Sequence, residues 1–73
     1  METIRKATEK TFEEMPRIFG ALEFCKKVRI ELGKETMDGT ILRRLRELRE
    51  DNVTPYKVFD AKNAMYVKTE KAL

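Results

Sequence analysis

In residues 2–14, Ile4, Ala7, Thr11 and Phe12 recur at three- and four-residue steps, with Lys and Glu between them. That is the period of an amphipathic helix. Pro16 disfavours a helical Met15 and sets the end of this helix near Glu14. Thr11 and Glu14 also have capping-box spacing, which would start a helix at Thr11. Pro16 would then fall inside that helix and remove a hydrogen bond, so the first reading ranks above it. A second helix is predicted over residues 18–32. At about 100° per residue, Ile18, Ala21, Leu22, Cys25, Val28 and Leu32 cluster on one face, with Phe24 at its edge. Gly33 provides the stop. Phe19 and Ile30 fall together on the opposite side. They are expected either under the first helix or in a contact between two copies of the chain.

The third predicted helix covers residues 39–50. Asp38, Gly39 and Thr40 open it, with Thr36 or Asp38 as the cap. Ile41, Leu45 and Leu48 form its inward stripe, with Leu42 beside them. Thr40, Arg43, Arg44 and Glu47 share the opposite face, flanked by Arg46, Arg49 and Glu50. After Asp51-Asn52 the period changes to that of strands, predicted over 56–60 and 65–69 and rich in β-branched and aromatic residues. Tyr56 and Val58 should point to one side, and Tyr66 and Lys68 should alternate with Met65 and Val67. Residues 61–64 form the hairpin loop, in which Asn63 can take a positive φ. The tail, residues 70–73, is expected to fray. No repeat, low-complexity segment or linker interrupts the pattern, so residues 1–73 are read as one domain. The predicted core is Leu22, Cys25, Val28, Ile41, Leu45 and Leu48.

At 73 residues the chain is near the lower size at which a single core sustains folding. Hydrophobic residues are 41% and charged residues 40%, interspersed in sign, with a net charge of +3. That excess fits an anionic partner without identifying one. Cys25 is the only cysteine and histidine is absent, which excludes an internal disulfide and zinc sites built from Cys and His. Cys25 reads as a small buried apolar residue, since a nucleophilic role would need a base it lacks. Paired acids such as Glu13-Glu14 read as helix surface. There is no phosphate-cradling glycine loop. No enzyme activity, metal or cofactor is therefore expected. The opening METIRKATEK has no apolar stretch of signal-peptide type, and nothing approaches a membrane span. The expected setting is the cytoplasm, with no membrane partner.

Three helices followed by a two-stranded antiparallel hairpin is a mostly α fold with a small β element. The segments GTILRRLRELRED and YKVFDAKNAMYV resemble the recognition helix and wing of winged helix-turn-helix DNA-binding proteins. The likeness runs over about residues 18–68. It implies a winged helix and a double-stranded DNA partner, with helix three in the major groove and the hairpin on the backbone. By that resemblance Thr40, Arg43, Arg44 and Glu47 face the groove, Gly39 lies where such helices approach the duplex first, and Lys62 and Asn63 occupy the wing tip. Lys34 extends the basic surface, together with Lys26 or Lys27. Arginine can donate two hydrogen bonds to guanine O6 and N7, and lysine adds attraction that ignores sequence. One departure is the acidity of the turn before helix three, where Glu35 and Asp38 stand. The resemblance implies a small regulator of transcription or replication, associated with the nucleoid.

A winged helix can equally bind protein without touching DNA, because fold does not fix function. Arg43 and Arg44 would then be a solvated helix face, and Phe19 and Ile30, if exposed, would anchor the partner. Arg46 and Arg49 are read as structural, with Asp60 or Glu50 within reach of Arg46. Lys57, Lys62 and Lys68 can protect a strand edge, and Tyr56 and Tyr66 are read as core.

Overall fold

The structure is a computed structural model that describes residues 3–70. The elements in chain order are α1 (Ile4–Glu14), β1 (Ile18–Gly20), α2 (Ala21–Leu32), α3 (Asp38–Glu50), β2 (Tyr56–Asp60) and β3 (Met65–Lys68). Three helices and an antiparallel β2–β3 hairpin make a winged-helix-like arrangement, mostly helical with a small sheet. The expectations for residue 2 and for residues 71–73 lie outside the described residues.

Thr3 caps α1 by accepting a hydrogen bond from the Lys6 amide at 3.1 Å, and the inward stripe Ala7, Thr8, Thr11 and Phe12 is buried. The buried Thr8 hydroxyl donates to the Ile4 carbonyl at 2.7 Å, so its burial leaves no unmet polar group. The helix ends at Glu14, and Met15 is extended at φ −75, ψ 151, as the following proline requires.

Residues 18–20 are not helix. They form β1, and α2 begins only at Ala21. Antiparallel pairing sets Ile18, Phe19 and Gly20 opposite Val67, Tyr66 and Met65, and the sheet order is β1-β3-β2. The Lys68 amide donates to the Arg17 carbonyl at 2.7 Å and the Ala21 amide to the Ala64 carbonyl at 2.8 Å, closing the ladder at both ends. A three-residue strand is too short to show a period of its own. Its partner lies at the far end of the chain.

That shift rotates the buried face of α2. The inward stripe is Ala21, Phe24, Cys25 and Val28, and Leu22, expected in the core, is 71% exposed. Without Ile18 on the helix, Leu22 has no apolar neighbour one turn before it. Phe24, placed at the edge of the face, is instead fully buried at its centre. Phe19 and Ile30 do not share a face either: Phe19 is 3% exposed on β1, whereas Ile30 on α2 is 72% exposed. The Phe19 ring packs edge-on against Phe12 of α1 and Tyr66 of β3, both at 5.8 Å between centroids. The expectation that helix one covers Phe19 holds; for Ile30 it fails.

The α3 stripe Ile41, Leu45 and Leu48 is fully buried, and with Phe24, Cys25 and Val28 it forms the centre of the core. Asn52, at φ 59, turns the chain out of α3, a backbone state asparagine tolerates better than most residues. Thr54 is buried behind it and donates to the Leu45 carbonyl at 3.4 Å. In the hairpin Tyr56 pairs with Lys68 and Val58 with Tyr66, a register consistent with Tyr56 and Val58 sharing one side. Tyr56 is buried, and Arg49 of α3 lies 4.7 Å above its ring, which gives Arg49 a structural role.

Candidate nucleic-acid interface

The outward face of α3 is set by the helix period. With Ile41, Leu45 and Leu48 turned inward, Thr40, Arg43, Arg44 and Glu47 emerge together on the other side. Arg43 is exposed, whereas Thr40, Arg44 and Glu47 are half-buried. Arg44 donates through Nη1 to Glu47 Oε1 at 2.7 Å, one helical turn away. No ion pair engages Arg43 among the described residues.

The start of α3 departs from the expected capping. Its N-cap is Met37, with no side-chain hydrogen bond, and neither Thr36 nor Asp38 fills the role. Asp38 is the first helical residue, and its carboxylate is bound by the Arg29 guanidinium of α2. Arg29 also donates to the Thr36 carbonyl at 3.4 Å. The hydrogen bond to Asp38 raises the Arg29 pKa further above its already high value. Of the two acids that stood against an anionic partner at this end of the helix, Asp38 is thus neutralised from within the fold, whereas Glu35 is exposed in the preceding turn. The sequence carries only an unspecific signal for the Arg29–Asp38 pair: an arginine near the close of one helix and an aspartate at the opening of the next, among several other charges.

Gly39 is exposed in the first turn of α3, and a Cβ added there would meet nothing within 4 Å. Its lack of a side chain therefore serves no packing contact within the fold. Lys34, in the turn between α2 and α3, is exposed.

Lys62 and Asn63 sit at the exposed turn of the β2–β3 hairpin, which Asp60 organises. Its carboxylate accepts from the Lys62 amide at 3.1 Å, the Asn63 amide at 3.3 Å and Asn63 Nδ2 at 2.7 Å. The Asn63 side chain, foremost, and these amides hold the Asp60 carboxyl below the usual range. Asp60 is thus committed to its own loop and not to Arg46. The positive φ expected at Asn63 falls one residue later, at Ala64 with φ 52, because the Asp60 contacts fix Asn63 inside the turn. A β-bulge between Val58 and Asp60 leaves Phe59 without a partner across the ladder and 54% exposed.

Lys68 protects no edge. It lies on the central strand β3, with its ammonium 4.8 Å from the centre of the Phe12 ring. Lys57 is on the edge strand β2 and exposed, consistent with a guarding role.

Among the described residues no group of three or more acidic, cysteine or histidine side chains is placed to hold a metal ion, and no helix is long and apolar enough to cross a membrane. Compared with known family models, curated proteins and solved structures, the chain gives no significant match.

Proposed function

We propose that the chain is a double-stranded DNA-binding module, with the outward face of α3 in the major groove and the β2–β3 hairpin on the flanking backbone. A small regulator of transcription at the nucleoid is the role this suits. One observation carries the reading. Three acids on or beside the surface, Asp38, Glu47 and Asp60, are each engaged by a neighbour within the fold. Arg43, Lys34 and Lys62 are left exposed with no ion pair among the described residues. A helix face that shows cations and binds its own anions suits phosphate and base edges.

The alternative is a winged-helix module that binds protein. Leu22 and Ile30, 71% and 72% exposed on α2, and Phe59 on the hairpin favour it.

Titration of a mixed-sequence duplex at two salt concentrations separates the two. If Arg43, Lys34 and Lys62 neutralise three phosphates, log affinity against log salt has a slope of about −2.7, and binding weakens about fortyfold between 50 and 200 mM. Absence of any duplex binding at the lower salt would remove the DNA reading and leave the protein-binding one.

A further inference from the structure

The two adjacent arginines of α3 are in different electrostatic states. Arg44 is paired with Glu47 at 2.7 Å, while Arg43, next to it, is exposed and has no ion pair among the described residues. From this difference, and resting on the DNA-binding reading above, we infer that they divide recognition between them. Arg44, held by Glu47, selects guanine in the major groove, and Arg43 supplies attraction that does not depend on sequence.

A phosphate is attracted by net charge. The Arg44–Glu47 pair presents a cation and an anion together, so toward the backbone it is nearly neutral and should release few counterions. A base edge is recognised by hydrogen-bond geometry instead. The guanidinium carries five N–H donors in a fixed fork, and Glu47 takes only one contact, through Nη1. The donors left over can still reach guanine O6 and N7 as a bidentate pair. With side chains 41% and 44% exposed, Arg44 and Glu47 remain accessible from the groove. Holding the fork before DNA arrives also reduces the rotamer freedom lost on binding.

Glu47 has a second effect. Its carboxylate repels phosphate wherever Arg44 is not seated on a base, and it can accept from the N4 amino group of a cytosine. It therefore disfavours registers that lack a suitable G·C pair. Glu47 is in these terms a positioning and selectivity residue, and Arg43 is the general attractor. The simpler account is a surface pair that only supports the helix, as pairs at this spacing commonly do. That account predicts no change in base preference when the pair is broken.

The experiment is selection from a randomised duplex pool, followed by titration of the selected and a mixed-sequence duplex at two salt concentrations. It compares the wild type with Arg43→Ala, Arg44→Ala and Glu47→Gln, with far-UV dichroism and denaturation midpoints as folding controls. Wild type should enrich a guanine. Arg44→Ala should lose about ten- to a hundredfold on the selected duplex and abolish the guanine preference. It also leaves the Glu47 carboxylate unpaired, so the mixed duplex weakens as well and the slope falls by about one unit. Arg43→Ala should weaken both duplexes alike and reduce the slope by about one unit. Glu47→Gln should bind mixed duplex more tightly, steepen the slope by about one unit and relax the guanine preference. The inference is overturned, with DNA binding intact, if the two arginine variants change base preference equally, or if Glu47→Gln keeps the wild-type preference and slope. If the wild type binds no duplex at all, the DNA reading itself fails and the division falls with it.

Discussion

Arg29 near the end of α2 and Asp38 at the opening of α3 form an ion pair across the turn that joins the two helices. The contact ties the entry of α3 to the body of the domain. The same guanidinium reaches the Thr36 carbonyl, so one side chain holds the turn at two points. Arg29→Met and Asp38→Asn should each lower the thermal midpoint by a few degrees, and the double variant should lower it no further than the worse single change. Fully additive losses would show that the two side chains do not act as a pair.

Leu45 is fully buried among Phe24, Val28 and Ile41 at the centre of the core. Leu45→Ala should destabilise by about 2–5 kcal/mol, through lost transfer energy and the cavity left behind. A domain of this size has about 5 kcal/mol to lose, so little folded protein should survive in mild urea. A urea midpoint equal to that of the wild type would contradict the packing described.

Gly39 separates stability from function. Its added Cβ meets open space, and alanine is the better helix former, so Gly39→Ala should raise stability by up to about 1 kcal/mol. If α3 approaches a duplex by its amino-terminal end, the same methyl group occupies space the backbone needs. Chemical denaturation and duplex titration should then move in opposite directions. A more stable variant with undiminished duplex affinity would place the DNA elsewhere on the surface.

Burial pushes the Cys25 thiol up to about 11, with the Asp38 charge adding to the effect and Arg29 opposing it. The native state therefore holds this proton more tightly than the unfolded chain does. Its contribution to stability is complete below about pH 8.5, the unfolded thiol value, and is lost as pH rises toward 11. A thiol reagent at pH 8 should modify the folded protein slowly, at a rate that rises with urea in step with unfolding. Rapid modification without denaturant would mean that Cys25 is not enclosed.

Asp60 should titrate in the opposite sense. Its carboxyl is held low by Asn63 and Lys62, so its stabilisation of the hairpin turn is present above the unfolded value of about 3.9 and is lost as pH falls through the lower folded value. The amide resonances of Lys62 and Asn63 should shift together with a midpoint below about 3.9. Asp60→Asn should abolish that shared titration. A midpoint at or above the ordinary carboxylate value would show that these hydrogen bonds do not persist in solution.

The parts legible in the sequence were those whose causes are local. Pro16 ends α1 after Glu14, Gly33 stops α2 at φ 73, and the Ile41, Leu45 and Leu48 spacing sorts Arg43 and Arg44 outward. The strand alternation set Tyr56 and Val58 on one side, and Tyr66 and Lys68 apart from Met65 and Val67; the register that pairs them comes from the structure. What escaped depends on distant partners. Ile18, Phe19 and Gly20 become a strand only because β3 lies against them, and that one difference also turned Leu22 out to solvent. The contact of Arg29 escaped for a related reason, and Asp60, expected within reach of Arg46, is bound instead to Lys62 and Asn63 of its own loop. Each neutralises or organises a neighbour, and a surface charge in a sequence does not announce which group it will meet.

The pairing of β1 with β3 also orders events in time. Phe19 is covered on one side by Tyr66, a residue near the opposite end of the chain. During synthesis the three helices emerge before the strand that completes the sheet. Until residue 67 leaves the ribosome, β1 has an unfilled edge and Phe19 lacks part of its cover. Long-range pairing of this kind slows folding relative to helix docking and leaves an apolar edge open meanwhile. The last strand is therefore a lock as well as a wing: a nascent chain that stops short of Met65 would carry three helices around an aromatic core still open to association.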